Sequence, residues 1–170
     1  IESNGIYGLS LEVDRLLLKG TGVAPQIGPG LYVAATAAGS VPAGTNLIDR
    51  IFLASAELRA AGWDPNGAVL NSSDLATMTL LKSTAGEYIF NSAVSLLPRI
   101  VTSPNLSAGQ FLVGDFSQAR VFMREESHIT VATTNEDDFI KNMVTALAET
   151  RLALSALQPS AFRKDGTVGP

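Results

Sequence analysis

The sequence predicts an α+β fold, in which helices and a largely separate set of strands share one chain of 170 residues. Two amphipathic helical patterns occur early, near residues 1–19 and 46–62. β-rich segments then crowd into residues 96–134, where apolar and polar residues alternate in places. Strands and helices do not follow each other in the regular rhythm of a doubly wound sheet. The length suits one domain, or one domain and part of another.

The composition indicates a protein that shares part of its surface with other chains. Hydrophobic residues make up 46% of the sequence and charged residues only 16%. That leaves few charges to cover the surface of a monomer with ordinary solubility. Because large exposed apolar patches mark association, we expect other subunits to cover some of this surface.

Charge and cysteine content exclude several classes of function. The net charge is −4 and the Lys and Arg residues are scattered, so no basic patch could follow phosphates in sequence-specific nucleic-acid binding. The absence of cysteine excludes disulfides, thiolate nucleophiles and Cys-based metal sites, and it favours a reducing compartment such as the cytosol. No apolar run approaches the ~20 residues of a membrane span, and the first residues given lack the basic start and apolar stretch of a signal peptide.

The N-terminal residues predict a helix that ends at Gly20. Apolar residues recur at helical spacing, at Ile6, Leu9, Val13, Leu16 and Leu17. The chain starts with Ile1 rather than Met, inside or just before this helix, as a trimmed piece of a longer protein would. Residues 20–45 are punctuated by Gly and Pro, so we expect a loop with at most short strand segments.

The middle of the chain predicts two capped helices and several short strands. Asn46 can cap the second helix, whose buried face would comprise Ile48, Ile51, Phe52, Ser55 and Leu58, and Gly62 can close it. A short strand over residues 68–70 precedes a third helix, capped by Asn71 or Ser72. Further strands follow, separated by Pro104, Gly109 and Gly114.

No motif in the chain predicts a cofactor or metal site. The glycines of "LLKGTGV" follow a helix, whereas a phosphate-binding loop needs them between a strand and a helix. "GLSLE" around Ser10 lacks the last glycine of a nucleophile elbow. His128 is the only histidine, which is typical of a half-exposed strand residue, and the acidic cluster Glu136–Asp138 lacks calcium-loop spacing.

Residues 137–154 place Asn142 and Glu149 seven positions apart in an alanine-rich, apolar run. On a helix the two side chains would share a face, and on a strand they would point to opposite faces. Local propensity favours a helix over residues 143–157, because Ala, Leu, Glu and Arg dominate. Glu149 and Arg151 could alternatively be structural residues that pair with neighbours.

The order of short signatures along nearly the whole chain resembles the C-terminal portion of a tailed-bacteriophage or prophage major capsid protein of the Hong Kong ninety-seven type. These signatures are, in sequence order, "LLLKGTGVAPQIGPGL", "GAVLNSSDLATMTLLKSTAGEYIF", "GQFLVGDF", "DDFIKNM", "RLAL" and "PSAF". Each one alone is weak, and their order is specific to that family.

The resemblance implies two domains of the family's capsid fold. Residues 1–24 and 121–157 would form part of the peripheral (P) domain, and residues 25–120 and 158–170 the axial (A) domain. The stretch after "KNM" would be an extended strand, because sheet pairing there overrides helix propensity. The N-terminal arm, the extended loop and the first part of the spine helix would be missing, so this piece alone should assemble poorly.

One branch of the family joins neighbouring subunits by isopeptide bonds, and the resemblance carries two of its positions onto this chain. Asn142 in "KNM" would be the acceptor, attacked by a lysine on the extended loop of another subunit. Glu149 in "AET" would take the proton from that lysine, as a carboxylate shielded from water can. Many members do not cross-link, and then Asn142 would bond to backbone groups and Glu149 to Arg151 or a neighbour.

The resemblance implies a structural function without catalytic turnover, apart from this cross-link. The protein would self-assemble into the icosahedral shell of a phage head that encloses DNA, in the host cytoplasm and then in the virion. Its partners would be copies of itself in hexamers and pentamers, with scaffold, portal and decoration proteins as further candidates. The alternatives are a nanocompartment shell of the same fold, or a soluble α+β enzyme or ligand-binding domain that uses His128 and Glu136–Asp138.

Overall fold

A computed structural model of the chain describes residues 2–23, 28–39, 45–83, 86–90, 96–132 and 138–165. Contacts group the chain into two compact units. The first unit contains residues 1–30 and 121–155, and the second contains residues 31–120 and 156–170.

Within the described residues, helices and strands are mixed, as an α+β fold requires. The helices are α1 (Glu2–Lys19), α2 (Leu31–Ala34), α3 (Leu47–Ala60) and α4 (Ser72–Leu80), and one further helical turn spans Asp138–Lys141. The strands are β1 (Thr36–Ala37), β2 (Gly67–Leu70), β3 (Arg99–Thr102), β4 (Phe111–Gly114), β5 (Ala119–Ala132), β6 (Thr145–Ala156) and β7 (Phe162–Lys164). None of the described helices is long and apolar enough to cross a membrane.

The first unit combines the N-terminal helix α1 with a sheet of two long strands, β5 and β6. The helix ends where the sequence predicts, since the N–H of Gly20 donates to the carbonyl oxygen of Leu16 at 2.9 Å. Helix α1 and strand β5 pack closely at Gly5. A Cβ atom added to this glycine would lie only 2.8 Å from Cδ1 of Ile129. Ile6 belongs to the predicted apolar face, and it is nevertheless exposed.

Of the residues 143–157 for which local propensity predicts a helix, Thr145–Ala156 form the strand β6, so that prediction is wrong and the strand implied by the family resemblance is correct. The single helical turn at Asp138–Lys141 stops at Asn142, whose φ of 53° lies in the left-handed region and cannot continue a right-handed helix. The following residues then pair with β5. Tertiary pairing therefore outweighs the helix propensity of Ala and Leu.

The second unit has its own hydrophobic core between α3 and the sheet. Asn46 caps α3 as predicted, and its side-chain oxygen accepts from the N–H of Asp49 at 2.8 Å. Phe52, predicted on the buried face, is 42% exposed, and Ala54 takes its place in the core. The core cluster comprises Ile48, Ile51, Ala54, Leu58, Ala68, Leu70, Met78, Phe111 and Val113.

The sheet of the second unit has five strands in the order β1-β7-β4-β2-β3. Strand β4 is central and buried along its whole length, and it pairs antiparallel with both β2 and β7. At its end, a Cβ on Gly114 would clash with the ring of Phe162 and lie 2.8 Å from the carbonyl oxygen of Ala161. Only glycine therefore allows β7 to approach β4 this closely.

The predicted loop over residues 20–45 contains the short helix α2 and strand β1 among its described residues. The Tyr32 hydroxyl of α2 donates to the Asp165 carboxylate, and burial together with that carboxylate raises the pKa of Tyr32. Asn71 rather than Ser72 caps α4, since its side-chain oxygen accepts from the N–H of Ser73 at 2.8 Å.

A buried carboxylate organises the turn after β4. Asp115 is 8% exposed, and its Oδ1 accepts from the N–H of Ser117 at 3.0 Å, from the Ser117 hydroxyl at 2.6 Å and from Nδ2 of Asn66 at 3.0 Å. Asn66 in turn accepts from the N–H of Phe116 at 3.0 Å. These hydrogen bonds lower the pKa of Asp115 below its ordinary value of 3.8, and the bond from the Ser117 hydroxyl has the largest effect.

We expect Asp115→Asn to lower the free energy of unfolding at pH 7 by about 1 to 3 kcal/mol, because charge-assisted hydrogen bonds to a buried group are lost. A carboxylate with a lowered folded-state pKa stabilises fully above the unfolded value of 3.8 and loses that contribution as the pH falls toward the folded pKa. The difference between the two proteins should therefore shrink below pH 3.8. Urea unfolding of the unassembled protein, followed by the fluorescence of its one tryptophan, Trp63, measures it. A difference that stays constant down to acid pH contradicts this prediction.

Candidate functional site

The candidate site lies on the two-stranded β5–β6 sheet of the first unit, which we call the ribbon (residues 119–132 and 145–156). Its strands run antiparallel, because Glu125 lies beside Thr150 and Arg151, whereas the later residue His128 lies beside the earlier Glu149. The Thr150 hydroxyl donates to the carbonyl oxygen of Glu125 at 3.1 Å. The ribbon thereby brings together side chains that are more than 20 positions apart in sequence.

Asn142 lies in the turn that enters β6, and not in the strand itself. Its φ of 53° is a conformation that Asn adopts more readily than other residues with a side chain. The strand geometry considered from the sequence, with Asn142 and Glu149 on opposite faces of one strand, therefore does not apply. The alternation of side chains along a strand does not extend to Asn142, because this residue lies in the turn before the strand begins.

The turn is surrounded by exposed apolar side chains. Ile140 is 83% exposed, Met143 is 54% exposed and Val144 is 62% exposed in the single chain. Asn142 itself is also exposed. An amide group in this position is open to a reactive group from another molecule, and the apolar neighbours would exclude water once they are covered.

Glu149 lies within β6 and has a different environment from Asn142. Its side chain is 39% exposed, so the shielding expected for a proton acceptor is incomplete in the single chain. It lies four positions after Thr145, the first residue of the strand, which is a distance of roughly 13 Å, and Asn142 precedes that first residue. Among the described residues no hydrogen bond joins the Asn142 and Glu149 side chains. One chain therefore does not bring the two predicted residues together.

His128 is the side chain that the structure places beside Glu149. Its Nε2 lies 3.9 Å from Oε2 of Glu149, and its Nδ1 lies 3.7 Å from Oε1 of Glu125. The His128 side chain is 42% exposed, so the half-exposed strand residue predicted from the sequence is confirmed. It lies well inside β5 (Ala119–Ala132). Sequence analysis missed its proximity to Glu149, because no local pattern records which residues face each other across two strands.

Arg151 pairs with Glu125 across the ribbon. Its Nε lies 3.3 Å from Oε2 of Glu125, so the alternative pairing of Arg151 with Glu149 is not the one formed. In the described residues, no group of three or more His, Cys, Asp or Glu side chains could hold a metal ion. Of the acidic cluster, Glu136 and Asp137 lie outside the described residues, as does the side chain of Asp138.

The second unit carries a shallow apolar groove on its sheet. Its volume is about 330 Å³, and it is lined by Asn66, Gly67, Ala68, Val69, Arg99, Val101 and Phe116. Arg99 is the only ionisable side chain in that lining. A single arginine supplies neither a nucleophile nor a base, so the groove does not form a catalytic site of the kind that an enzyme requires.

The sequence matches known proteins along nearly its whole length. Residues 1–164 match the profile of the phage capsid family. The chain belongs to the phage capsid family. The major capsid protein of Enterobacteria phage HK97 is 33% identical over 173 residues, which cover 96% of this chain and 45% of that protein. The resemblance found in the sequence is therefore confirmed.

Solved structures agree with the phage capsid family fold. A structure from Mycobacterium phage Bobi has a TM-score of 0.73 at 20% identity and covers 96% of this chain and 62% of its own. The capsid of an empty GTA particle has a TM-score of 0.65 at 15% identity, covering 97% of this chain and 65% of its own. The chain thus spans less than two thirds of each relative. Phage capsid proteins are structural proteins rather than enzymes.

We expect the positive φ at position 142 to be unstrained with glycine and strained with alanine. Asn142→Ala should destabilise the turn by about 1 kcal/mol, because alanine has no side-chain hydrogen bond to offset the left-handed conformation. Asn142→Gly is the matched control, since glycine adopts this φ without strain. Hydrogen exchange of peptides that cover the turn and the start of β6 should be about fivefold faster in Asn142→Ala than in Asn142→Gly. Equal exchange in both variants would show that the turn does not hold this φ.

Proposed function

We propose that this chain is part of the structural subunit of a phage head, a major capsid protein that self-assembles into an icosahedral shell around packaged DNA. The observation that carries the proposal is its membership of the phage capsid family over residues 1–164. The function is assembly, in which the same few surfaces of each copy meet their counterparts on neighbours.

The apolar surface of the ribbon supports a function in assembly. Five large apolar side chains of the ribbon are at least half exposed in the single chain: Val121, Phe122, Met123, Val131 and Leu147. Most exposed apolar side chains need no explanation, but a series of them along one narrow element is typical of a surface that another chain covers. Copies of the same chain, in hexamers and pentamers of the complete protein, are the partners that fit a shell.

We assign the two units to the two domains of the capsid fold. Residues 1–24 and 121–157 belong in this proposal to the peripheral domain, and residues 25–120 and 158–170 to the axial domain. The contact-based division, after residues 30, 120 and 155, supports this assignment. The ribbon and α1 would then belong to the peripheral domain, and the five-stranded sheet to the axial domain.

The remaining partners and the location follow from the same function. The shell would be assembled in the cytoplasm of the bacterial host and would end in the virion head. Scaffold, portal and decoration proteins are candidate partners during and after assembly. A net charge of −4 fits a wall that does not bind the genome tightly. A nanocompartment shell of the same fold is the second candidate, and the enclosed cargo distinguishes it from a phage head.

The geometry of the ribbon also supports a cross-link between copies. The acceptor would be the exposed side-chain amide of Asn142, and Glu149 would be the proton acceptor. A lysine ammonium of another copy would transfer one proton to a Glu149 carboxylate and become a neutral amine. Its nitrogen would attack the amide carbon of Asn142, the C–N bond to the amide nitrogen would break, and ammonia would leave as the isopeptide bond forms.

The separation of Asn142 and Glu149 supports a reaction between chains. The two residues do not meet within one chain, so a complete site needs Asn142 from one copy and Glu149 from another. Assembly would bring them together and cover Ile140, Met143 and Val144, which would exclude water from the reacting groups. The incomplete burial of Glu149 in the single chain is consistent with a site that is completed only in the shell.

Electron microscopy of the protein produced from its complete coding sequence tests the shell. We expect uniform closed particles, with gel filtration placing the protein in the void volume rather than at the size of a monomer. Nuclease digestion and sequencing of the protected nucleic acid distinguish a DNA-filled head from a nanocompartment. A protein that stays monomeric under all assembly conditions, and that binds a small ligand, would overturn the proposal.

A denaturing gel of the assembled particles tests the cross-link. We expect a ladder of covalent oligomers in the parent protein and none in Asn142→Asp, because a carboxylate at this position is not attacked by an amine under these conditions. The Asp variant is the right comparison, since Asp also tolerates positive φ and keeps the shape of the side chain. Glu149→Gln should slow the ladder by about 100-fold or more, as expected when a general base is removed. A ladder that persists in Asn142→Asp excludes Asn142 as the acceptor.

A further inference from the structure

The turn that leads into β2 contains an asparagine followed directly by a glycine, Asn66–Gly67. In an unfolded chain this dipeptide readily loses ammonia, because glycine has no side chain to hinder its own backbone nitrogen. That nitrogen attacks Cγ of the asparagine, the bond from Cγ to the side-chain nitrogen breaks, and ammonia leaves with the proton of the backbone N–H. Water then opens the succinimide ring, and position 66 becomes aspartate or isoaspartate.

The packing of the second unit requires glycine at position 67. A Cβ atom added to Gly67 would lie 2.8 Å from both Cδ2 and Cε2 of the Phe116 ring. The Phe116 ring is itself held in place, since it packs edge-on against the ring of Phe162 with 5.4 Å between the centroids. Phe162 is buried in the core. A larger residue at position 67 would therefore displace a ring that contacts the core.

The turn also requires an amide at position 66. Oδ1 of Asn66 accepts from the N–H of Phe116 at 3.0 Å, and Nδ2 donates to Oδ1 of Asp115 at 3.0 Å. An asparagine side chain offers an acceptor and a donor at once, whereas a carboxylate offers acceptors only. Both members of this reactive pair are thus set by contacts of the folded unit.

The same contacts oppose the reaction in the folded chain. Ring closure needs the Asn66 side chain to rotate until its Cγ faces the nitrogen of Gly67, but both ends of the amide are bonded to the turn after β4. Gly67 is in addition paired with Arg99 of β3 and Gly114 of β4. Asn66 is exposed, so exclusion of water does not protect it. Protection comes from the hydrogen bonds and the strand pairing, and it ends when the turn opens.

We propose that Asn66–Gly67 is a site of spontaneous succinimide formation that the folded turn suppresses, so that chains left unfolded are converted to a form that cannot rebuild the turn. An aspartate at position 66 places a carboxylate oxygen where Nδ2 now donates to Asp115. The two carboxylates repel each other, and water screens them weakly because Asp115 is only 8% exposed. An isoaspartate adds a methylene group to the backbone just before β2, which disturbs its register with β4.

Peptide mapping by mass spectrometry tests the site in the complete protein, incubated at pH 8 either in buffer or in urea that unfolds it. Trypsin releases residues 60–82 as one peptide, which contains both Asn66 and Asn71. Asn71 precedes a serine and is the internal control. In urea, Asn66 should be modified about 10-fold faster than Asn71, since only glycine leaves the attacking nitrogen unhindered. Asn66 should also be modified about 30-fold or more faster in urea than in the folded protein.

A variant of the turn tests whether these hydrogen bonds provide the protection. In buffer, Asp115→Asn should be modified at Asn66 about fivefold or more faster than the parent, because the weakened turn opens more often. In urea, where the turn is absent, the two rates should be equal. Asp49→Asn, an exposed substitution of the same kind on α3, is the matched control and should follow the parent under both conditions.

Refolding of a product mimic tests the consequence of the modification. After dilution from urea, Asn66→Asp should recover protease resistance with a yield about fivefold or more below that of the parent, because a buried hydrogen bond is replaced by repulsion. Asn46→Asp is the matched control, since an aspartate caps a helix as well as an asparagine does, and it should recover like the parent.

Each measurement can overturn the inference. A rate in urea no higher at Asn66 than at Asn71 would show that the pair is not a preferred site. Equal rates in buffer and urea would show that the folded turn gives no protection. An equal refolding yield for Asn66→Asp and the parent would reject the proposed consequence. If Asp115→Asn does not fold in buffer, the ratio of the parent's rates in urea and buffer decides alone, and a ratio near one rejects the inference.

Discussion

A ribbon of two strands cannot bury both of its faces, and this constraint governs the first unit of the chain. The strands are 14 and 12 residues long, which is well above the usual length in globular proteins. A two-stranded sheet in water is marginally stable unless another surface packs against it. Helix α1 supplies part of that surface at Gly5, yet large apolar side chains such as Phe122 and Met123 remain exposed. In the shell proposed above, other copies would supply the rest, and the stability of the ribbon would then depend on assembly.

The second unit is different, because it closes its own core. Ile51, Leu58, Leu70 and Leu112 have no exposed surface, and β4 is buried along its whole length. The network around Asp115 gives this unit a polar connection that is satisfied internally. A self-contained unit joined to a unit that needs partners is a sound division for a shell protein. In the proposed shell, one part would fold before assembly, and the other would gain its full stability from neighbouring copies.

Sequence patterns predicted correctly the helix caps and helix ends, which depend on neighbouring residues. They failed where contacts with residues distant in the sequence decide the structure. Asn46 and Asn71 capped their helices as expected, and Gly20 ended α1, since each acts within one turn. The strand β6 was predicted wrongly from propensity, because pairing with β5 decides its conformation. The family resemblance gave the right answer there, since it carries information about tertiary structure that propensity lacks. Phe52 was predicted on the buried face and is 42% exposed, because helical spacing alone does not record how wide a face the rest of the fold covers.

The candidate site shows the same limit at the level of single residues. The types and spacing of Asn142 and Glu149 were visible in the sequence, but the left-handed turn at Asn142 and the contact between His128 and Glu149 were not. The turn alone is a sufficient reason for an asparagine at this position, so the residue type cannot by itself indicate chemistry. The proposed cross-link rests instead on the combination of an exposed amide, exposed apolar neighbours that a second chain would cover, and a carboxylate within the adjoining strand. Since one chain separates the amide from the carboxylate, the proposed reaction between them would have to wait for assembly, and the proposed shell would then be locked only after its subunits had met in the correct arrangement.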